Sequence, residues 1–155
     1  MSIELKILNK VFYEEYSLPH YATSGSAGID LVTTRALTIF PGDIIPIPTG
    51  LSMHIGSECD NLMGVVVPRS GLGTKGLVLA NTIGIIDEDY QGEIIIQAWN
   101  KSSATWISNE PIVLKAGDRI AQLIFVPVMK ARFSIVEEFT NKTSRGDGGF
   151  GSTGK

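Results

Sequence analysis

Apolar and polar residues alternate with a period of two along much of the chain. The segment IELKIL places Ile3, Leu5 and Ile7 on one face, and similar short runs include GEIIIQAW and RIAQLIFVPV. A period of two is typical of β-strands, and nowhere does an apolar pattern of helical period extend over three turns. The pattern therefore predicts many short strands, with the prolines beside them at edges, bulges or corners.

Glycine and proline turns separate these runs, which is typical of an all-β sandwich, jelly roll or small barrel. The chain has 155 residues, 43% hydrophobic and 19% charged, which suits one domain with a core. The last predicted strand is FSIVEEF, at 133–139, and the residues after it lack core-forming content. We expect one β domain over 1–139 with at most one short helix, followed by a flexible glycine-rich tail over 140–155.

Charge and cysteine content exclude several classes of protein. The net charge is -3 and no basic block is present, so duplex nucleic acid is not an expected partner. Cys59 is the only cysteine, which excludes an intrachain disulfide and a thiolate zinc site. The chain shows neither a signal-peptide pattern nor an apolar run of membrane-spanning length. We therefore expect no membrane association and a reducing, cytoplasmic compartment.

A glycine-rich loop, PRSGLGTKG at 68–76, matches the dinucleotide-binding fingerprint by letter. That fingerprint requires a following helix, whereas LVLANTIGII predicts strand, so we reject a Rossmann site. Arg69, Ser70 and the flexible glycines could still present a guanidinium, a hydroxyl and N–H groups to phosphate oxygens. On this segment alone, an ordinary glycine loop is the simpler interpretation.

An acidic turn (residues 87–90) lies between two β-type runs in NTIGIIDEDYQGEIIIQAWN, which predicts a hairpin. Asp87 directly follows an apolar run, and a carboxylate partly sheltered by apolar neighbours can act as a general base. Solvated turn acids are the commoner alternative, which fits Glu88 and Asp89 better than Asp87. Tyr90 offers a flat surface, although most exposed tyrosines only pack.

Two polar residues interrupt otherwise apolar strands. Asp30 in SAGIDL needs a partner for its charge, so an ion pair is the first expectation and a site role the second. Gln122 in GDRIAQLIF needs hydrogen-bond partners, which could be structural or belong to a ligand.

The chain ends in RGDGGFGSTGK, which allows three interpretations. An RGD adhesion string would need an extracellular setting, and a P-loop would need a helix after its lysine. A loose tail is the simplest interpretation of this stretch by itself. It nevertheless combines Arg145, Phe150, Ser152 and Thr153 on a glycine-permissive backbone, which could close over an anionic ligand.

Taken together, five segments in order closely resemble the motifs of the trimeric deoxyuridine triphosphatase family. They are AGIDL, PRSGLG, NTIGIIDEDYQGE, GDRIAQLIF and RGDGGFGSTG, and they span positions 27 to 154. Each motif is weak or moderate alone, but five in family order are a strong signal. The resemblance implies a distorted, jelly-roll-like β-barrel and a homotrimer with three active sites at subunit interfaces, where the C-terminal arm (140–155) crosses to another subunit.

The resemblance also implies a reaction. Water would attack the α-phosphorus of dUTP and release dUMP and pyrophosphate, which limits uracil in DNA and supplies dUMP for dTMP synthesis. Mg²⁺ would be held mainly by the triphosphate and not by direct protein ligands.

The resemblance also implies a role for each residue from its position in the motifs. Asp87 would position and activate the water, Asn81 and Gly84 would lie in the uracil-reading segment, and Tyr90 would pack on the deoxyribose. The positions that match phosphate contacts are Arg69, Ser70, Gly71 and Gln122. The arm positions expected to contact substrate are Arg145, Phe150, Gly151, Ser152 and Thr153, with Phe150 over the uracil. Asp30 would be structural or water-orienting.

Two alternatives remain open at this point. A dCTP deaminase of the same fold is the nearest enzyme, although the acidic turn and the arm argue against it. A nucleotide-sensing regulatory protein without turnover is the alternative from another class.

Overall fold

The computed structural model describes residues 2–57, 61–104 and 110–149. These ranges contain ten strands and two short α-helices. The strands are β1 Glu4–Ile7, β2 Ile29–Val32, β3 Leu37–Ile39, β4 Ile44–His54, β5 Leu62–Pro68, β6 Leu77–Leu79, β7 Gly84–Ile86, β8 Glu93–Asn100, β9 Ile112–Leu114 and β10 Arg119–Pro127. The helices are α1 Lys10–Glu15 and α2 Ser70–Gly73, and 3-10 turns follow β4 and β8.

The strands form two four-stranded sheets and one two-stranded sheet. Their orders are β1-β4-β8-β6, β2-β10-β5-β7 and β3-β9, and every pairing is antiparallel. Among the described strands, each pair that is consecutive along the chain therefore lies in two different sheets, as in a sandwich whose connections cross between layers. The predicted all-β, jelly-roll-like class is confirmed.

The core lies between the two larger sheets and follows the predicted alternation. In β8, Ile94, Ile96 and Ala98 are buried while Ile95 and Gln97 are exposed. Apolar residues of both sheets join one cluster that includes Leu31, Leu51 and Leu123, each fully buried. Removal of this apolar area from water is the main favourable term in folding.

The prediction of at most one short helix was wrong, because the described chain has two. Asn9 caps α1 by accepting a hydrogen bond from the N–H of Phe12 at 3.2 Å, and Phe12 is buried. Tyr13 donates to the carbonyl of Thr49 at 2.9 Å, and its burial, with a smaller effect of Glu93, raises its pKa to about 12. The second helix, α2, is a single turn within the glycine loop. Elements this short leave no helical period to detect.

The strand predicted at 133–139 was also wrong. After β10 no strand or helix forms in the described residues up to 149. Phe133, Ile135 and Phe139 are 94%, 99% and 85% exposed. A β-strand needs a partner edge, and in a single chain this segment pairs with none. No helix in the described ranges is long and apolar enough to span a membrane.

Asn100 forms a buried polar junction at the end of β8. Its Nδ2 donates to the carbonyls of Ile39 at 2.9 Å and Glu110 at 3.3 Å. Its Oδ1 accepts from the N–H of Ser102 at 3.1 Å and from the Ser102 hydroxyl at 2.6 Å. One fully buried amide thus joins β8, β3 and the segment before β9.

We expect Asn100→Leu to lower the free energy of unfolding by about 3 kcal/mol, because buried donors and acceptors would lose their partners. Denaturant unfolding at a fixed protein concentration measures this loss. Asn141→Leu, at an exposed position of the tail, is the matched control and should unfold like the parent chain. Equal midpoints for both variants would show that the Asn100 junction contributes little.

Candidate active site

A cavity of about 360 Å³ lies where the chain passes from β7 to β8. Four predicted site residues line it: Asn81, Gly84, Asp87 and Tyr90. The apolar side chains of its wall are Val66, Leu79, Ile85, Ile86, Ile95 and Ile96. Apolar walls with a few polar groups at the rim are typical of pockets for small organic ligands. We call this space the acidic-turn cavity.

The hairpin predicted for 81–100 was wrong, because its two strands do not pair with each other. β7 pairs with β5 in one sheet, whereas β8 pairs with β4 and β6 in the other. The acidic turn therefore crosses between sheets, and the cavity opens at that crossing. Glycine allows close approach here, since a β-carbon at Gly84 would lie 3.2 Å from Cβ of Val66.

The loop before β7 is held in a rare backbone conformation. Thr82 has a φ of 63°, which is unusual for a β-branched residue and costs on the order of 1 kcal/mol. The N–H of Ile83 donates to the carbonyl of Asn81 at 2.7 Å, and the N–H of Thr82 donates to that of Leu79 at 3.0 Å. These bonds fix the position of Asn81. Thr82 was missed in the sequence because glycine and asparagine, not threonine, usually mark a positive φ.

Local contacts shape the acidic turn around Asp87 and Tyr90. The carbonyl of Asp87 accepts from the N–H of Tyr90 at 3.2 Å, and the Tyr90 hydroxyl donates to the carbonyl of Glu93 at 3.0 Å. The Tyr90 ring folds over Gly92, where any β-carbon would collide with it. In the single chain Asp87 is exposed, which differs from the partly sheltered carboxylate expected from its apolar neighbours.

The prediction of a solvated turn acid was wrong for Glu88. Its side chain is only 23% exposed and contacts both the backbone N–H of Asn61 and the ammonium of Lys130. The hydrogen bond from Lys130, then that from Asn61, lowers the pKa of this carboxyl. Both partners are distant in sequence, which is why the local pattern did not indicate them.

A second group of predicted residues meets on the sheet that contains β10. The register places Gln122 opposite Asp30 in β2 and Val67 in β5. Nε of Arg69 lies 2.8 Å from Oδ1 of Asp30, in a charge contact that lacks hydrogen-bond geometry. Gln122 Nε2 also donates to Oδ1, at 3.5 Å. The ion pair expected of Asp30 is present, and two of the residues expected to contact phosphate, Arg69 and Gln122, contact its carboxylate.

Sequence reasoning did not select Arg119, which completes this arginine cluster (Asp30, Arg69, Arg119 and Gln122). Its Nη1 donates to Oδ2 of Asp30 at 3.3 Å. Alternation did not single it out, because three positions separate Arg119 from Gln122 and would put the two on opposite faces of a regular strand. A register shift between Arg119 and Ala121 interrupts that alternation. Ser70 and Gly71 lie exposed at the start of α2, next to Arg69. The first N–H groups of a helix have no intrahelical partner and can receive an anion.

The acidic-turn cavity and the arginine cluster do not meet within one chain. Ile86 lies opposite Gly64 near the start of β5, and Arg69 follows the other end of that strand, about 16 Å away at 3.3 Å per residue. Arg69 and Arg119 border a separate groove with Val113 and Leu114. One chain therefore presents the predicted residues in two groups that face different spaces.

The described residues of the arm line neither the acidic-turn cavity nor the groove beside Arg69. Arg145 is exposed, and its Nε donates to the carbonyl of Gly148 at 2.9 Å within a local turn. Phe150, Gly151, Ser152 and Thr153 lie outside the described residues.

Comparison with known proteins gives one consistent result. A family model described as dUTPase matches residues 14–154. The chain is 51% identical to the deoxyuridine 5'-triphosphate nucleotidohydrolase of Actinobacillus pleuropneumoniae serotype 5b (strain L20), covering 99% of this chain and 97% of the relative. It is 48% identical to the enzyme of the same name from Shewanella halifaxensis (strain HAW-EB4), covering 98% and 96%.

Solved structures agree with the sequence relatives. A glycine-to-serine mutant of the Staphylococcus bacteriophage 80alpha dUTPase with dUpNHpp superposes with a TM-score of 0.80 at 27% identity, covering 99% of both chains. Another structure of that phage dUTPase with dUPNHPP gives 0.79 at 26% identity, again covering 99% of both. Family model, relatives and fold agree over nearly the whole chain, and the chain belongs to the dUTPase family.

Proposed function

We propose that this chain hydrolyses dUTP to dUMP and pyrophosphate. The observation that carries the proposal is that Asn81, Gly84, Asp87 and Tyr90, separated in sequence, line one cavity in a chain about half identical to named deoxyuridine 5'-triphosphate nucleotidohydrolases. The phage dUTPase of the same fold holds dUpNHpp, an analogue of this class of nucleotide. Neither a deaminase nor a sensor is favoured by any contact in the described residues.

The acidic-turn cavity suits a pyrimidine base and its sugar. Its apolar wall can cover the ring faces, while Asn81 and the strained loop beside it offer an amide and backbone groups to the base edge. Cytosine would present an amino donor where uracil presents an acceptor, which leaves buried polar groups mismatched. Tyr90, folded back over Gly92, would pack on the deoxyribose and leave no room for a 2′-hydroxyl.

The arginine cluster suits the phosphates. Asp30 contacts Arg69 through Nε, so the two terminal nitrogens of that guanidinium remain available for phosphate oxygens. Ser70, Gly71 and Gln122 would add hydroxyl, N–H and amide donors. In this proposal Asp30 is a positioning residue that holds the cationic groups before nucleotide arrives.

Asp87 would supply the base. Its carboxylate accepts a proton from a water molecule whose oxygen attacks the α-phosphorus. The new oxygen–phosphorus bond forms as the bond from that phosphorus to the bridging oxygen breaks, and the electron pair leaves with pyrophosphate. Within the described residues no three carboxylate, imidazole or thiol groups are placed to hold a metal. Bound Mg²⁺ would take its ligands mainly from triphosphate oxygens and would neutralise charge on the leaving group.

A homotrimer with shared sites would unite the two parts. Residues 133–139 expose large apolar side chains that a neighbouring subunit would cover. The arm over 140–155 would then reach a neighbour's site, where Arg145, Ser152 and Thr153 bind the γ-phosphate end, Gly151 allows close approach and Phe150 covers the base. A reducing cytoplasm, suited to a chain with one cysteine, is the compartment in which this activity would limit uracil in DNA and supply dUMP.

We expect the full chain with Mg²⁺ to release pyrophosphate from dUTP and no ammonia from dCTP. Asp87→Asn should lower kcat by roughly 10²- to 10⁴-fold because the proton acceptor is lost, while binding of the non-hydrolysable analogue dUpNHpp is kept. Pyrophosphate release and calorimetry measure the two effects. Asp43→Asn, an exposed aspartate outside both parts of the site, is the matched control.

The possible outcomes of that assay separate the candidates. Ammonia from dCTP would identify a deaminase, and binding of dUpNHpp without turnover by the parent chain would identify a sensor. Parental rates in Asp87→Asn would leave the reaction standing and remove Asp87 as the base.

The shared site has a separate test by complementation. Arg69→Gln and Asp87→Asn each remove one part of the site, so each variant alone should be nearly inactive. Random assembly of equal amounts should restore about a quarter of parental activity, since one in four interfaces would combine an intact Arg69 with an intact Asp87 from another subunit. Light scattering on the mixture checks the assembly. A mixture as inactive as its components would place both residues in sites within one chain.

A further inference from the structure

Three segments distant in sequence meet at the glutamate beside Asp87. Oε2 of Glu88 accepts a hydrogen bond from the backbone N–H of Asn61 at 2.7 Å, and the Glu88 carbonyl accepts one from the N–H of Gly56 at 2.9 Å. The ammonium of Lys130 pairs with Oε1. Glu88 therefore joins the acidic turn to the segment before β5 and to the arm root, which we define as residues 128–130.

Asn61 reinforces this junction from its other side. Its carbonyl accepts a hydrogen bond from the N–H of Val128 at 2.8 Å, so its backbone binds both the acidic turn and the arm root. Asn61 has a φ of 61°, in the left-handed region that asparagine tolerates better than most residues. The two backbone bonds hold this conformation in place.

Charge also favours the contact. Asp87, Glu88 and Asp89 are three successive acids, and all three border a groove of about 200 Å³ together with Lys130. The Lys130 ammonium, paired with Glu88, offsets part of the mutual repulsion of these carboxylates. The hydrogen bond from Lys130 lowers the pKa of Glu88, which keeps the carboxylate ionised where it pairs.

Asp87 depends on its neighbours for its position. Its side chain has no hydrogen-bond or ion-pair partner among the described residues, and β7 before it has only three residues and pairs only with β5. On one side, Ile86 is fixed opposite Gly64. On the other side, the fixed point is Glu88. Without the Glu88 side-chain contacts, only the backbone bonds from Gly56 to Glu88 and from Tyr90 to Asp87 would hold the turn on that side.

We propose that Glu88, paired with Lys130, is a positioning residue that holds Asp87 and the arm root in one arrangement. The proposal rests on the proposed function, because the group being positioned is the base of that reaction. It adds a role for two residues outside the substrate-contacting set. It also connects the acidic turn to the start of the segment that leads to the arm.

The kinetic test compares Glu88→Gln, Lys130→Met and the double variant with the parent chain. Glutamine keeps an acceptor for the Asn61 N–H but removes the ion pair. We expect each single variant to lower kcat for dUTP about tenfold with KM changed less than about twofold, since misplaced catalytic groups reduce turnover more than binding. The double variant should lose about tenfold, not a hundredfold, because both changes break one contact. Glu14→Gln and Lys6→Met, at exposed positions outside the proposed site and interface, are the charge-matched controls.

A second measurement does not depend on activity. Amide hydrogen exchange of the full chain should quicken about tenfold at residues 88–90 and 128–130 in either single variant, and in neither control. Unchanged exchange, parental kcat or additive losses in the double variant would each overturn the proposal. A parent chain without dUTP turnover would defeat the proposed function, and the exchange data would still decide whether the contact holds the two segments.

Discussion

The register of β10 is the constraint on which the rest of the site depends. Leu123 is fully buried between the sheets, and a shift of one residue would bring Gln122 into the core in its place. Burial of this one row of side chains therefore decides that Gln122 lies opposite Asp30, within reach of Arg69 and Arg119. Hydrophobic packing thus aligns the strands that carry the arginine cluster, and within the cluster Asp30 pairs with both arginines.

The acidic turn is held by a different kind of contact from the arginine cluster. It crosses from one sheet to the other, so no hairpin ladder supports it, and tertiary hydrogen bonds from Gly56 and Asn61 hold it. Such bonds join segments about thirty residues apart and can be altered without disturbing the core. The proposed phosphate contacts thus lie on or beside paired strands, whereas Asp87 lies in a crossing segment held by isolated hydrogen bonds.

The sequence allowed prediction of features that depend on local pattern. Alternation identified β8, and residue types in motif order identified four residues that line the acidic-turn cavity and two, Arg69 and Gln122, that contact Asp30. The sequence did not indicate which strands and side chains pair with each other across the fold. The runs on either side of the acidic turn resemble a hairpin in sequence, but in the structure β7 pairs with β5. Residues 133–139 alternate like a strand, but in the described structure they pair with no other strand. The Glu88–Lys130 pair spans 42 residues and has no local signature.

The separation of the two parts also limits how the proposed site could be completed. Asp87 follows β7 and Arg69 follows β5, and these strands are hydrogen-bonded neighbours. Any hinge within the chain that brought Asp87 to Arg69 would have to break that ladder and expose the core behind Val65 and Val66. A second copy of the chain can supply the missing part without disturbing either sheet. Under the proposed function, assembly is therefore the less costly route to a complete site, and the exposed apolar residues at 133–139 provide surface that assembly would bury.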